Sequence, residues 1–215
     1  MNKTRTNVRP PEWLETGAYP RKAKRAMLSV IIATFDSERA LVPTLAALVS
    51  GATAGLIREV LIVDGGSRDD TAAVADVGGC NFRLVEGLLA YRLKTGAASA
   101  RAPWLLFLRP GTVLDEPWSS EVRQFIEQGA PVARAAAFRR GGSGQPGLRE
   151  AWSLAAAAFG AKPGPQQGLI ISKGFYQQIG GHAESAAEPE RDLVRRIGRR
   201  RIVTLSSSAV TLRDT

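Results

Sequence analysis

The stretch Glu59-Val-Leu-Ile-Val-Asp-Gly-Gly-Ser-Arg-Asp-Asp-Thr71 runs from an unbroken apolar segment into two glycines and an acidic turn. A short apolar run rich in β-branched residues, with no polar alternation, is the pattern of a strand buried on both faces. Asp64 ends that strand, and Gly65-Gly66 let backbone amides approach a ligand closely. Asp69 and Asp70 then open a helix over 69–75, where acids suit the helix dipole. Upstream, Leu28-Ser-Val-Ile-Ile-Ala33 is a second run of the same kind. Leu41, Leu45, Leu48 and Val49 follow it at helical spacing, with Pro43 in the first turn and Gly51 and Gly55 as terminators. Downstream come a short strand at Phe82–Val85, an Ala-rich helix over 94–101 and a strand at Trp104–Leu108. Strands alternating with short helices predict a parallel α/β sheet.

The second half is less regular. Helices are expected at about 117–128, 148–159, 173–179 and 190–200, and strands at about 131–138, 168–172 and 201–205. The Gly/Pro-rich stretches 141–147 and 160–168 read as loops. Gly142-x-Gly144-x-x-Gly147 matches the dinucleotide pattern. Pro146 interrupts it, and no acid lies between Glu150 and Glu184 to hold a ribose, so a Rossmann oxidoreductase is rejected.

The 215 residues suit one domain, here 27–215, behind a basic arm over 1–26. The single cysteine, Cys80, excludes an internal disulfide and a Cys-rich zinc module. No apolar run approaches membrane-spanning length, and the N-terminus lacks the apolar core of a signal peptide. A reducing, cytoplasmic setting is expected. The net charge of +9 is concentrated: residues 1–26 carry seven Lys/Arg against two Glu, and residues 191–201 six Arg against one Asp. Such patches suit phosphates or an anionic membrane surface, or are simply solvated. Without interleaved aromatics or a recognised module, nucleic acid is not the expected partner.

In an open α/β sheet, ligands sit at the carboxyl ends of the strands. Three segments fall there: Ala33-Thr-Phe-Asp-Ser-Glu38, Asp64–Thr71 and Arg109-Pro-Gly-Thr112. With their order and spacing, these pieces make residues 28–212 resemble a family-2 glycosyltransferase of the GT-A fold. The similarity continues through Gln166–His182 and Glu188–Leu205. It implies a single GT-A-like α/β domain, with a mostly parallel sheet flanked by helices. It also implies transfer of a sugar from a nucleoside-diphosphate sugar, UDP by preference, to an acceptor hydroxyl with inversion. The acceptor would be a glycan or lipid of the cell envelope.

Roles follow position by position from the resemblance. Asp64 matches the aspartate that meets the uracil edge or ribose, with Thr34, Asp36, Glu38 and Gly65 beside it. By its residues alone, Asp64 can equally be a turn acid, and Ser67, Asp69 and Asp70 read first as helix-start residues. Glu190, with Asp192 as fallback, falls at the catalytic base. Gln167 and His182 fall on the acceptor side. Trp104 and Phe107 read as core, and Trp152 as either core or sugar platform.

Three departures qualify this. The family's metal-ligating aspartate falls on Gly111, in a segment with no carboxylate, although magnesium and manganese need oxygen ligands. Lys94, with Arg92 nearby, replaces a polar amide. The late acidic pair reads Pro189-Glu190. Arg109, Lys94 and Arg92 can offset diphosphate charge in place of a metal. The rival expectation is an eroded, non-catalytic relative that binds nucleotide or a partner.

Overall fold

The computed structural model describes residues 27–128, 133–141 and 164–212. The arm over 1–26, the helix expected at 148–159 with Trp152, and the Gly142–Gly147 pattern lie outside these residues.

The buried runs form the strands expected. β1 (Leu28–Thr34), β2 (Ile57–Asp64), β3 (Asn81–Leu84) and β4 (Trp104–Leu108) are joined by α1 (Glu38–Thr53), α2 (Thr71–Val77) and α3 (Leu89–Ser99). After β4 come β5 (Thr112–Leu114), α4 (Trp118–Glu127), β6 (Ala135–Arg140), β7 (Leu169–Ser172), α5 (Lys173–Gln178), α6 (Pro189–Ile197) and β8 (Ile202–Thr211). The eight strands make one sheet in the order β3-β2-β1-β4-β7-β6-β8-β5. β3, β2, β1 and β4 run parallel. β7 is antiparallel to β4 and β6, β8 is parallel to β6, and β5 is antiparallel to β8.

Each face of the sheet carries a core. One gathers Val30, Ile32, Leu106, Trp118 and Phe138 under α1 and α4, and the other Ile31, Leu61, Val63, Leu105 and Ile171 under α3 and α6. Two glycines work by close approach. A Cβ on Gly51 would stand 2.5 Å from the Trp118 ring, and one on Gly96 would stand 2.7 Å from Ile31 Cγ2. Gly51 therefore lies within α1 and seats Trp118, where the sequence suggested a terminator.

β1 is followed by β2 on one side, while β4 lies on its other side. Connections leaving β1 and β4 toward opposite sides open a crevice at the strands' carboxyl ends. Among the described residues, no helix is long and apolar enough to cross a membrane.

Candidate active site

The first wall of that crevice is organised around Asp64. Its carboxylate is 1% exposed, at the end of β2. Oδ1 accepts from Thr34 Oγ1 at 2.7 Å and from Ser67 Oγ. Oδ2 accepts the Gly66 and Ser67 backbone N–H groups at 2.8 and 2.7 Å. Burial alone would raise its pKa, but the donors from Ser67, Thr34 and Gly66 hold it below the usual carboxylate range. A carboxylate offers about four lone-pair sites, and here the protein fills them.

The loops after β1 and β2 are bonded to each other in the same way. Asp36, at φ 45°, donates its N–H to Ser67 Oγ and accepts from the Arg68 N–H at 2.7 Å. Asp69 Oδ2 accepts the Glu38 N–H at 2.9 Å, and so serves the first turn of α1 as well as Thr71. These contacts tie the two loops together across about thirty residues of chain, each through a side chain bonded to backbone. The Glu38 side chain is half-buried at the rim.

The three candidate cations separate. The Arg92 guanidinium lies over Gly65, donates to the Thr34 carbonyl oxygen and sits beside Asp64, with its Nε buried and without a partner. Lys94 pairs with Glu184 at 2.9 Å, half exposed. Arg109, just past β4, pairs with both carboxylate oxygens of Glu190 at the start of α6: Nε lies 2.9 Å from Oε2 and 3.1 Å from Oε1, and Nη2 also contacts Oε2. Arg109 is 42% exposed and Glu190 14%, so the pair forms part of the crevice wall. Asp192 turns to Arg195 and Arg196 at 2.7 Å each.

His182 and Glu190 share a small pocket of about 20 Å³ with Phe107, Gly168, Leu169 and Val194. That space admits roughly a single water. A larger hollow of about 470 Å³ opens at the opposite end of the sheet, beside Ala54, Arg123 and Glu127. Gln167 spends its amide on Phe138 O at 2.8 Å and the Gly164 N–H at 2.7 Å, which fixes the turn before β7.

His182 is buried. Tyr176 Oη accepts its backbone N–H at 3.1 Å and lies within hydrogen-bond distance, 2.8 Å, of Nδ1. Phe107 packs edge-on against the imidazole, and Tyr176, also buried, is pushed up to about 12. Burial, helped by Arg196, lowers the His182 pKa to about 3, so the ring is neutral. The unfolded chain therefore binds more protons than the folded one between that value and the ordinary 6.5. Stability should fall as pH drops through this window, by at most about 1.4 kcal/mol per pH unit from this group. Urea titrations at several pH values should show the slope, and His182→Gln should reduce it.

The residues after β4 do not fit a magnesium or manganese ion. Gly111 adopts φ +82°, and a Cβ there would lie 2.9 Å from Leu212 O, so an acidic side chain is excluded sterically as well as by sequence. Asp115 is held by Ser208 at 2.7 Å. Among the described residues, no three His, Cys, Asp or Glu side chains group as metal ligands.

A family model for glycosyl transferase family 2 matches residues 29–153. The chain belongs to that family. Solved structures of the fold agree. S. aureus TarS 1-349 in complex with UDP-GlcNAc superposes with a TM-score of 0.65 at 15% identity, over 88% of this chain and 59% of that one. The mannosyltransferase PcManGT of Pyrobaculum calidifontis, in complex with GDP-Man and Mn2+, gives 0.64 at 15% identity, over 86% and 56%. Glucosyl-3-phosphoglycerate synthase of Mycobacterium tuberculosis, with Mn2+, UDP and glucosyl-3-phosphoglycerate, gives 0.60 at 16% identity, over 88% and 73%. At these identities the likeness is one of fold, and the chain spans less than two thirds of the TarS and PcManGT chains. No curated protein is significantly similar to it in sequence.

The Arg109–Glu190 pair was not visible in the sequence, because its members are 81 residues apart. The use of Arg92 against Gly65 did leave a signal. A glycine follows Asp64, and a Cβ there would stand 2.6 Å from Arg92 Nη1, so the guanidinium could not keep this position beside a larger residue.

Proposed function

We propose that this family-2 domain transfers a sugar from a UDP-sugar to a hydroxyl of a cell-envelope glycan or lipid, with inversion and without a divalent metal. The observation that carries this reading is the pairing of Arg109 with Glu190 at the end of β4, where the family resemblance puts a metal ligand.

The nucleoside lies against Thr34, Asp36, Glu38, Asp64 and Gly65. Asp64 holds the loop that receives it, and direct contact with a uracil N–H or ribose hydroxyl requires Thr34 or Ser67 to yield its place. Glu190 takes the proton from the acceptor hydroxyl. That oxygen bonds to the anomeric carbon as the bond to the diphosphate oxygen breaks on the opposite face. The negative charge left on the diphosphate falls to Arg109, the cation nearest the base, with Lys94 at the rim. Arg92 serves the nucleoside end, because its guanidinium lies beside Asp64 and the Thr34 carbonyl.

A second reading draws on the same pair. Arg109 and Glu190 satisfy each other, as the two halves of a structural ion pair also would, and the domain would then bind nucleotide without turnover.

Calorimetric titration with UDP, in EDTA and in manganese, tests the proposal. Equal binding in both conditions is expected. Binding confined to manganese would overturn metal independence, and no binding of any nucleotide would leave a degenerate scaffold.

A further inference from the structure

We propose that the sheet edge opposite the crevice, at the amino ends of the parallel strands, is a docking surface for an anionic lipid bilayer. The edge can be followed residue by residue through the register. Leu28 pairs with Ile57 on one side and Trp104 on the other, Trp104 pairs with Ser172, Ile171 with Ala135, and Ala135 with Ile202. Arg58, Lys173, Arg134 and Arg201 stand at or just beyond these positions, with Arg200 beside the last. The row crosses from β2 to β8, which is five strand spacings or about 24 Å.

This charge is not neutralised locally. Among the described residues, no ion pair involves Arg58, Arg134, Arg200 or Arg201, and all four are exposed. Arg201 also lies 5.9 Å over the Phe175 ring. Of the nearby acids, Glu59 is 8% exposed and held by Arg101 and Ser29, while Glu127, 59% exposed, lies 3.9 Å from Arg123. The 26 residues before Met27, with seven Lys/Arg against two Glu, join the domain on this same edge, where Met27 O accepts the Trp104 N–H. Arg58, Arg134, Lys173 and the Arg200–Arg201 pair, from four separate parts of the chain, therefore bring positive charge to one edge.

A bilayer fits this edge better than a nucleic acid. Single-stranded binding relies on aromatic platforms for the bases. Here Trp104 and Phe125 pack edge-on against each other at 5.6 Å, so their faces are not offered as a stack. A row of cations attracts anionic headgroups by about 1 kcal/mol per residue near the surface. Docked this way, the crevice stands off the bilayer by the length of β1, about 23 Å. That geometry selects an acceptor that extends from the membrane over one whose hydroxyl lies in the headgroup layer.

The test is co-sedimentation of the full chain with phosphatidylcholine vesicles, with and without phosphatidylglycerol, across a salt series. Binding is expected only with phosphatidylglycerol and should weaken as salt rises. The variant carrying Arg58→Glu, Arg134→Glu, Arg200→Glu and Arg201→Glu should bind more than about a hundred-fold more weakly, on the scale of about five-fold per cation. A control with Arg39→Glu and Arg83→Glu, both at other surfaces, should bind as the unaltered chain does. Circular dichroism melts of both variants establish that each is folded. Equal loss in both variants, or binding that ignores phosphatidylglycerol, overturns the proposal. So does tight binding of single-stranded RNA by these arginines with none to vesicles.

Discussion

Asp64→Ala should lower the stability of the domain by about 3–5 kcal/mol and abolish nucleotide binding together with it. The carboxylate is buried and takes four donors, two of them backbone N–H groups that have no other partner in the turn. Leaving such donors unsatisfied costs about 1–3 kcal/mol each, less whatever Thr34 and Ser67 recover by turning to water. For a domain of this size, that corresponds to a melting point lower by roughly 10 °C or more. Asp64→Asn separates the two effects. Its amide oxygen still serves one side of the turn, so the fold should be largely kept while the charge is lost. The pH dependence provides an independent check. Because the folded pKa lies below the ordinary value, the carboxylate's contribution is complete above about pH 4. It is lost as pH falls through the folded value. Thermal melts of wild type and Asp64→Asn should therefore converge in acid and separate as pH rises to about 4, above which the gap stays constant. A gap that does not close in acid would mean that the carboxylate is not held as described.

The first half of this architecture was legible because its strands are buried on both faces. Leu28–Ala33, Glu59–Val63 and Trp104–Leu108 have the continuous apolar composition that such burial requires, and they fall within one or two residues of β1, β2 and β4. β5 was missed because Thr112-Val-Leu114 is three residues long, and only its pairing with Ala209–Thr211 makes it a strand. β8 runs past the expected 205 because, beyond a register shift, Ser208–Thr211 pair with β6 and β5, while Glu121 takes the Ser206 and Ser207 N–H groups within the shift. The site divides along the same line. Contacts between neighbours, such as Asp64 with Gly66 and Ser67, are turn chemistry visible in sequence. By sequence alone, Arg92 and Lys94 group as cations for one diphosphate. Two residues along a helix are about 200° apart, and the structure sends one to Thr34 and the other to Glu184.

Glu190→Gln is expected to reduce sugar transfer by about 10²–10⁴-fold, the range of a lost general base, while UDP affinity stays within about two-fold. The amide keeps the shape of the carboxylate and one acceptor for Arg109, but it cannot take the acceptor proton. Arg109→Ala should behave differently. It removes the cation proposed to meet the diphosphate, so UDP binding and transfer weaken together. It also strands a Glu190 carboxylate that is only 14% exposed. Partial solvent access limits that structural loss to about 1–2 kcal/mol, well short of a fully buried broken pair. Arg109→Lys restores the charge without the two-pronged geometry, so it should recover UDP binding more completely than transfer. The double variant Arg109→Ala/Glu190→Ala decides between a catalytic and a structural pair. If the two residues only hold α6 against β4, removing both should restore much of the lost stability and leave UDP affinity unchanged. If Arg109 meets the diphosphate, the stability returns but the affinity does not, because the partner that was lost belongs to the ligand.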